Sequence, residues 1–333
     1  MTSYLSNLFR LFAFNHKFSV DSSKQQLFLK KSLVPLLQTF EQENDNSLDE
    51  DDLRKMRSYG VAIPSMLGEA FCELRGRKMT ERERYAITYL GSLTGLFDDL
   101  FDRRDLSDDY IRQMLEAPEN YTPANTNEKL MQALYQKVFE YTGKEIAIKT
   151  AALKVYEAQV RSRRQKNGHL SADELKQITF DKGGVTMQIY RLAFEGEPDA
   201  VEQELLYRMG AIGQLENDIF DVYKDFQDKI VTLVTLSNDM RKLNDFYNDL
   251  IRNVLSLIDK TAYADKNKHY FRLFASLVMS RGLVALKPLI KLQTLTQNIF
   301  TLNRYSRTQL ICNMETRGNV FRLLHYAAKC AKK

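Results

Sequence analysis

Apolar residues recur along the chain at steps of three and four, the spacing of one face of a helix. Between residues 126 and 159, for example, Leu130, Leu134, Val138 and Tyr141 form such a stripe. We find no convincing segment with the period of two that marks a half-buried strand. The chain has only 14 glycines and six prolines in 333 residues, so few positions interrupt its helices. The pattern predicts an all-α protein.

Polar residues ahead of the apolar stripes predict where helices begin. Ser47 followed by Glu50 is typical of a capping box, and Thr80, Ser107 and Ser171 each precede acidic residues and then an apolar run. No internal repeat or low-complexity linker divides the sequence, so we expect one large helical domain over residues 1–333. We expect breaks between helices near Pro64, Pro118–Pro123, Asn167–Gly168, Glu195–Pro198 and Asp265–Lys268.

Charge and composition exclude several classes of protein. The 48 basic residues nearly balance 43 acidic ones, for a net charge of +5, which argues against a nucleic-acid partner but leaves room for a small anionic ligand. The longest uncharged run, Tyr85–Phe97, has 13 residues, fewer than the roughly 20 of a membrane span, so no transmembrane segment is expected. Three widely spaced cysteines form no metal-ligand pattern and favour a reducing, cytoplasmic location.

A first acidic cluster, Asp98-Asp99-Leu100-Phe101-Asp102, follows that uncharged run. Asp98 and Asp102 are four residues apart, so they share one face of a helix. Three carboxylates at the C-terminal end of a buried helix repel each other and oppose the helix dipole unless a cation neutralises them. Oxygen ligands of this kind suit Mg²⁺, which commonly binds carboxylates together with substrate phosphates.

A second polar cluster also places oxygen-bearing side chains on one side of a helix. Asn217, Asp221 and Asp225 are spaced four and four, so an amide oxygen and two carboxylates form one stripe along a helix. A stripe of this kind can chelate one ion, and the adjacent Lys224 could contact an anion. The sequence alone also allows Asp221, Lys224 and Asp225 to be an ordinary surface charge pattern.

Together, Asp98-Asp99-x-x-Asp102 and Asn217-Asp218-x-x-Asp221-x-x-Lys224-Asp225 resemble the two metal motifs of class I terpenoid synthases, above all the microbial terpene synthases. The resemblance covers about residues 60–325 and implies a single-domain helical bundle around a central active-site cavity. It implies three Mg²⁺ ions bound with the substrate diphosphate, and catalysis that depends on Asp98, Asp99 and Asn217. The metal ligands that it implies are Asp98, Asp99, Asp102, Asn217, Asp221 and Asp225.

Other residues fit the resemblance as diphosphate contacts. Arg304-Tyr305 is similar to the late Arg-Tyr pair of the microbial enzymes. Lys182 precedes Gly183-Gly184, where two glycines predict a helix break that would expose backbone to substrate, although a tight helix–helix crossing is the alternative. The implied diphosphate contacts are Lys182, Lys224, Arg304 and Tyr305. A diphosphate-sensing arginine cannot be assigned among Arg161, Arg163, Arg164 and Arg191.

The resemblance implies a carbon–oxygen lyase acting on phosphates. It would ionise a linear all-trans prenyl diphosphate and cyclise or rearrange the carbocation to a terpene, and a homodimer is compatible with it. Asp221 and Asp225 depart from the usual Ser or Thr and Glu, and Asn217-x-x-x-Asp221-x-x-x-Asp225 is similar to the second motif of squalene and phytoene synthases. The alternatives are therefore a prenyltransferase of that type or of the chain-elongating type, and a helical binding protein with a decayed site.

Overall fold

The chain is almost entirely helical in a computed structural model that describes residues 2–103, 107–166 and 169–332, with only the backbone of residues 2, 3 and 98–103. Helix accounts for 80% of the described residues. The described residues contain no β-strand, and Lys166 and Ile230 form an isolated bridge. The predicted all-α class is thus confirmed, whereas the synthase-like arrangement stays a prediction.

The α-helices vary widely in length. The first part of the chain forms α1 Thr2–Ser32, α2 Val34–Gln42, α3 Glu50–Ile63, α4 Glu69–Leu74, α5 Glu81–Arg103, α6 Asp108–Glu116, α7 Thr126–Thr142 and α8 Glu145–Ser162. The remainder forms α9 Ala172–Arg191, α10 Ala200–Phe220, α11 Val222–Gln227, α12 Leu233–Leu236, α13 Met240–Lys260, α14 Asp265–Leu295, α15 Arg307–Leu310 and α16 Arg317–Cys330. Short 3₁₀ segments cover Pro118–Asn120, Arg163–Gln165 and Leu302–Arg304.

The chain divides into two compact units. The first unit comprises Met1–Phe14, Glu157–Gln188 and Pro198–Lys333, and the second comprises Asn15–Tyr156 and Ile189–Glu197. The second acidic motif belongs to the first unit and the first acidic motif to the second. The predicted single domain over residues 1–333 stays a prediction.

The second unit is built on α5, which packs against α3 and α7. Leu130, Leu134 and Val138 of the predicted stripe on α7 are fully buried. On α5, Gly91 and Gly95 lie against the backbone of α3, where an added Cβ would come within 3.0 Å of the Tyr59 carbonyl and 3.2 Å of the Met56 nitrogen. Small residues therefore let the helix that carries the first motif approach α3 closely.

The first unit is built on α10, α13, α14 and α16, with α14 in contact with each of the other three. α14 is long and apolar enough to span a membrane by length and composition, with a mean hydropathy of 1.6 over its most apolar window. Because 67% of that window is buried inside the structure, α14 packs as a core helix of the first unit. The described residues thus contain no clear transmembrane segment.

The pair Gly183-Gly184 does not break a helix, because α9 runs uninterrupted from Ala172 to Arg191. A Cβ built on Gly183 would overlap the carbonyl of Gly210 on α10, and one on Gly184 would overlap the ring of Tyr207. The prediction of a break was therefore wrong and the alternative, a tight helix–helix crossing, is correct. Because glycine has no side chain, the backbones of α9 and α10 can touch here, and neither helix has to bend.

Most predicted helix starts are confirmed. Thr80 accepts a hydrogen bond from the Glu83 nitrogen, and Ser107 accepts one from the Tyr110 nitrogen. The cap of α3 is Asp49 rather than Ser47, because Asp49 and Asp52 exchange hydrogen bonds with each other's backbone nitrogens. One predicted break was wrong, because Pro64 continues the helix as a π-turn over Pro64–Gly68. The break predicted near Asp265–Lys268 lies directly before these residues, between the end of α13 at Lys260 and the start of α14 at Asp265. The break predicted at Asn167–Gly168 lies outside the described residues.

Candidate functional site

The second motif lies where α10 passes into α11. α10 begins at Ala200, where Asp199 caps it by accepting a hydrogen bond from the Glu202 nitrogen at 2.8 Å. Asp221 separates the two helices, yet its nitrogen donates to the Asn217 carbonyl at 2.9 Å, and the Asp225 nitrogen donates to the Asp221 carbonyl at 2.8 Å. The helical hydrogen bonding therefore continues through the junction and places the three residues on successive turns.

The three side chains differ in depth. Asn217 is exposed, Asp221 is half-buried and Asp225 is buried. The Asn217 Nδ2 atom donates to Asp221 Oδ2 at 3.3 Å. Buried apolar neighbours, which include Leu215 and Ile219, hold this part of the helix against the core. The arrangement is a short row of oxygen atoms that leads from the surface into the first unit.

Asp218 follows Asn217 directly, but its side chain points into the protein interior. It is buried and accepts hydrogen bonds from Gln214 Nε2 at 2.8 Å and from Thr179 Oγ1 on α9 at 3.4 Å. Burial raises the pKa of Asp218 to about 6, and these bonds and the charge of Lys182 only partly oppose that. Asp218 therefore attaches α10 to α9 and leaves Asn217 as the exposed member of the pair.

The carboxylates of this junction lack sufficient positive charge. The pKa of Asp225 is raised to about 7, first by burial and then by the negative charges of Asp218 and Asp221. Lys224, which is exposed, and Lys182, which is half-buried on α9, act in the opposite direction without cancelling the effect. A cation at this position would relieve the repulsion.

The donor set at the junction suits a hard cation. An amide oxygen of Asn217 and the carboxylates of Asp221 and Asp225 are the ligand types that Mg²⁺ takes. Across the part of the chain that the structure describes, no group of three or more His, Cys, Asp or Glu side chains could hold a metal ion by itself. An ion bound here would need the Asn217 amide and oxygen atoms from a ligand or water.

Lys182 belongs to the environment of the second motif although it lies on another helix. The crossing of α9 and α10 at Gly183 and Gly210 brings it near Asp218 and Asp225, whose charged forms it stabilises. Its neighbour Asp181 accepts a hydrogen bond from Tyr207 Oη at 2.7 Å. The crossing therefore positions the Lys182 ammonium group near the acidic junction.

The four candidate sensor arginines have different surroundings. Arg161 pairs with Asp181, and Arg164 pairs with Glu174 at 2.8 Å. Arg191 is fully buried and donates to the Phe194 carbonyl at 3.3 Å, so it stabilises the end of α9. Arg163 lies in the short 3₁₀ segment after α8. The three arginines whose partners are known bind protein groups.

Arg304 ends a 3₁₀ turn in the first unit, and Tyr305 follows it. Arg304 is exposed. Tyr305 Oη forms a 2.6 Å hydrogen bond with Thr296 Oγ1, and its ring lies 5.0 Å from that of Phe300. The helix that begins two residues later, α15, packs against α11. The Arg-Tyr segment therefore lies in the same part of the unit as the end of the second motif.

The sequence analysis missed an ion pair beside the second motif. Glu216 is buried, and its Oε1 atom lies 3.2 Å from Arg281 Nη1 on α14. The Arg281 guanidinium also lies over the Phe220 ring, at 5.6 Å from its centroid. Arg281 is 46% exposed, so its guanidinium reaches the buried Glu216 from the surface of α14. No local sequence pattern predicts this pair, because the two residues lie on different helices.

The three buried carboxylates predict that stability falls as pH rises. Burial raises the pKa of Glu216 to about 7, of Asp225 to about 7 and of Asp218 to about 6, so the folded chain holds protons that the unfolded chain releases at lower pH. Their favourable contribution is complete at pH values below the ordinary carboxyl pKa and is lost as pH rises through about 6 to 7. We expect thermal unfolding in metal-free buffer to occur at lower temperature at pH 8 than at pH 5. Glu216→Gln should flatten this dependence, and an unchanged profile in that variant would contradict the assignment.

The first motif lies largely outside the described residues. The backbone of α5 includes Asp98, Asp99 and Asp102. The structure does not describe their side chains. Their assignment as metal ligands stays a prediction.

Comparisons with protein-family models, with curated proteins and with solved structures gave no match to this chain. The resemblance to terpenoid synthases therefore depends on the motif residues themselves.

Proposed function

We propose that the protein is a Mg²⁺-dependent class I terpene synthase that acts on a linear prenyl diphosphate. The observation that carries the proposal is the junction of α10 and α11, where Asn217, Asp221 and Asp225 lie on successive turns and where burial and the neighbouring carboxylates raise the pKa of Asp225. The Asp98-Asp99-x-x-Asp102 motif earlier in the chain supports it, because two acidic motifs in this order fit the handling of a diphosphate with metal ions.

The reaction is the heterolysis of the allylic carbon–oxygen bond. The bonding electron pair leaves with the diphosphate, and the resulting allylic cation is attacked by a double bond of its own chain before it loses a proton or captures water. Mg²⁺, when bound, would neutralise the leaving diphosphate as a Lewis acid. The residues proposed to hold it are Asp98, Asp99, Asp102, Asn217, Asp221 and Asp225.

The cationic side chains around the second motif are proposed to bind the diphosphate itself. Lys182 and Lys224 both favour the charged form of Asp225, so positive charge is present around the acidic junction for an anion held there. Arg304, which is exposed, and Tyr305 are proposed as further donors. These contacts would orient the diphosphate and hold it after the bond breaks.

The test is diphosphate release from purified protein with and without Mg²⁺. Geranyl, farnesyl, geranylgeranyl and geranylfarnesyl diphosphates are supplied singly, and the extracts are analysed by mass spectrometry. A hydrocarbon or alcohol formed from one substrate alone, only with Mg²⁺, is the expected result. Products of doubled carbon number, or products that need isopentenyl diphosphate, would instead indicate prenyl coupling. An absence of turnover with every substrate would count against the enzyme and in favour of a binding protein.

A further inference from the structure

The N-terminal helix α1 exposes a stripe of large apolar side chains. Leu5, Phe9 and Phe12 are 46%, 75% and 55% exposed, and their spacing of four and three puts them on one face. The opposite face, which includes Asn7 and Leu11, is buried. The helix therefore has a packed side and a second apolar side that faces solvent.

Helix α16 lies beside this part of α1 in the first unit. The hydroxyl of Tyr4 forms a 2.9 Å hydrogen bond with His325 Nδ1, and Asn7 Nδ2 donates to the Ala328 carbonyl at 3.3 Å. Phe321, which is 69% exposed, lies one turn before His325, and Leu5 directly follows Tyr4. Exposed apolar groups thus flank the contact from both helices. We call Leu5, Phe9, Phe12 and Phe321 the α1–α16 surface.

The two segments that carry this surface are basic. Residues 2–20 and 316–332 contain no Asp or Glu. Lys332 approaches the surface directly, because its ammonium group lies 5.5 Å from the centroid of the Tyr4 ring. The exposed cations on these segments are Arg10, Arg317, Arg322, Lys329 and Lys332.

A helix that lies in a membrane interface typically has phenylalanine and leucine on one face, flanked by arginine and lysine. The apolar side chains enter the boundary between headgroups and acyl chains, and the cations contact anionic lipid phosphates. A second copy of the chain would bring like charges together across a two-fold contact, which is unfavourable. We propose that the α1–α16 surface docks the protein on an anionic membrane surface.

This docking is independent of the proposed chemistry. It uses residues away from both acidic motifs along the chain, and the vesicle experiments below need no substrate. A failure of either proposal would therefore leave the other intact.

The chain contains no tryptophan, so the fluorescence of a single introduced tryptophan reports only on the environment of that position. Phe9→Trp and Phe321→Trp in the full chain should shift to shorter emission wavelength on adding vesicles of phosphatidylcholine with phosphatidylserine, and brominated lipid should quench them. Ile146→Trp is the matched control, because Ile146 is 83% exposed on α8 in the second unit. Its emission should not change. Equal shifts at all three positions, or no shift at any, would overturn the proposal.

Sedimentation with the same vesicles measures how strongly the protein binds the membrane. The double variant Phe9→Ser with Phe12→Ser should lower the partition coefficient roughly a hundredfold, since each buried phenylalanine contributes about a factor of ten. High salt, or vesicles of phosphatidylcholine alone, should weaken binding of the unaltered protein, because each cation near an anionic surface contributes about fivefold. Both side chains are exposed, and thermal unfolding of the variant checks that it folds.

Two other results would reject membrane docking. Undiminished sedimentation of the double variant would show that the surface makes no contact with lipid. A loss of self-association in the double variant, seen by light scattering with no vesicle binding by the unaltered protein, would assign the surface to a second copy of the chain.

Discussion

Asn217→Ala is expected to lower Mg²⁺-dependent diphosphate release by about a hundredfold or more, because losing one oxygen ligand removes several kcal/mol of charge stabilisation. Asn217 is exposed, so the replacement should not disturb the core. Raising the Mg²⁺ concentration should restore part of the rate, and Asn217→Asp, which keeps an oxygen ligand, should retain more activity than alanine. The measurement is the rate of diphosphate release against Mg²⁺ concentration.

Control variants show whether a loss of activity comes from losing a metal ligand or from mutation in general. Asn253→Ala removes an exposed amide from α13 in the same unit and should leave the rate unchanged. Asp98→Ala is expected to act like Asn217→Ala, with Asp109→Ala in the exposed first turn of α6 as its control. A wild-type rate and Mg²⁺ dependence in Asn217→Ala would exclude this residue from the metal site.

Gly210→Leu is expected to lower the free energy of unfolding by about 3 kcal/mol or more, through overpacking at the crossing of α9 and α10. Even a Cβ on Gly210 would overlap the Gly183 carbonyl and lie 2.9 Å from the Gly184 Cα. Because these neighbours are backbone atoms, no side-chain rotation relieves the clash and the helices must separate. Urea denaturation followed by circular dichroism measures the loss.

Gly213→Leu is the control for this prediction. Gly213 lies on the same helix one turn later, and a Cβ there would meet nothing within 4 Å. Replacing an exposed helical glycine should raise stability by about 0.5–1 kcal/mol, because glycine is a poor helix former. If both variants lose stability equally, the crossing is not as tight as the structure has it.

The helical class of the protein could be read directly from the sequence. The stripe Leu130, Leu134 and Val138 and the caps Thr80 and Ser107 depend only on residues within a few positions of each other, and all appear in the structure. The spacing of Asn217, Asp221 and Asp225 is local in the same sense, since successive helical turns bring such residues to one side. Short-range geometry of this kind needs no knowledge of the fold.

The role of Gly183-Gly184 could not be read in the same way. Two adjacent glycines permit either a turn or a close approach, and Gly210, the residue that decides between them, lies on another helix. The same holds for Asn217 and Asp218, which are neighbours in sequence but differ in exposure. Asp218 is buried where α10 meets α9 and accepts a hydrogen bond from Thr179, and no local pattern predicts that contact.

The sequence by itself therefore determined the helical class, several helix starts and which oxygen-bearing side chains share one side of a helix, because these follow from hydrogen bonding and side-chain spacing within one segment. Only the tertiary structure decided that Lys182 stands beside Asp225, that Arg281 pairs with Glu216, and that Phe9 and Phe12 face solvent. Each of these depends on which helix packs against which. Burial and pairing are properties of two or more segments that the chain brings together only on folding.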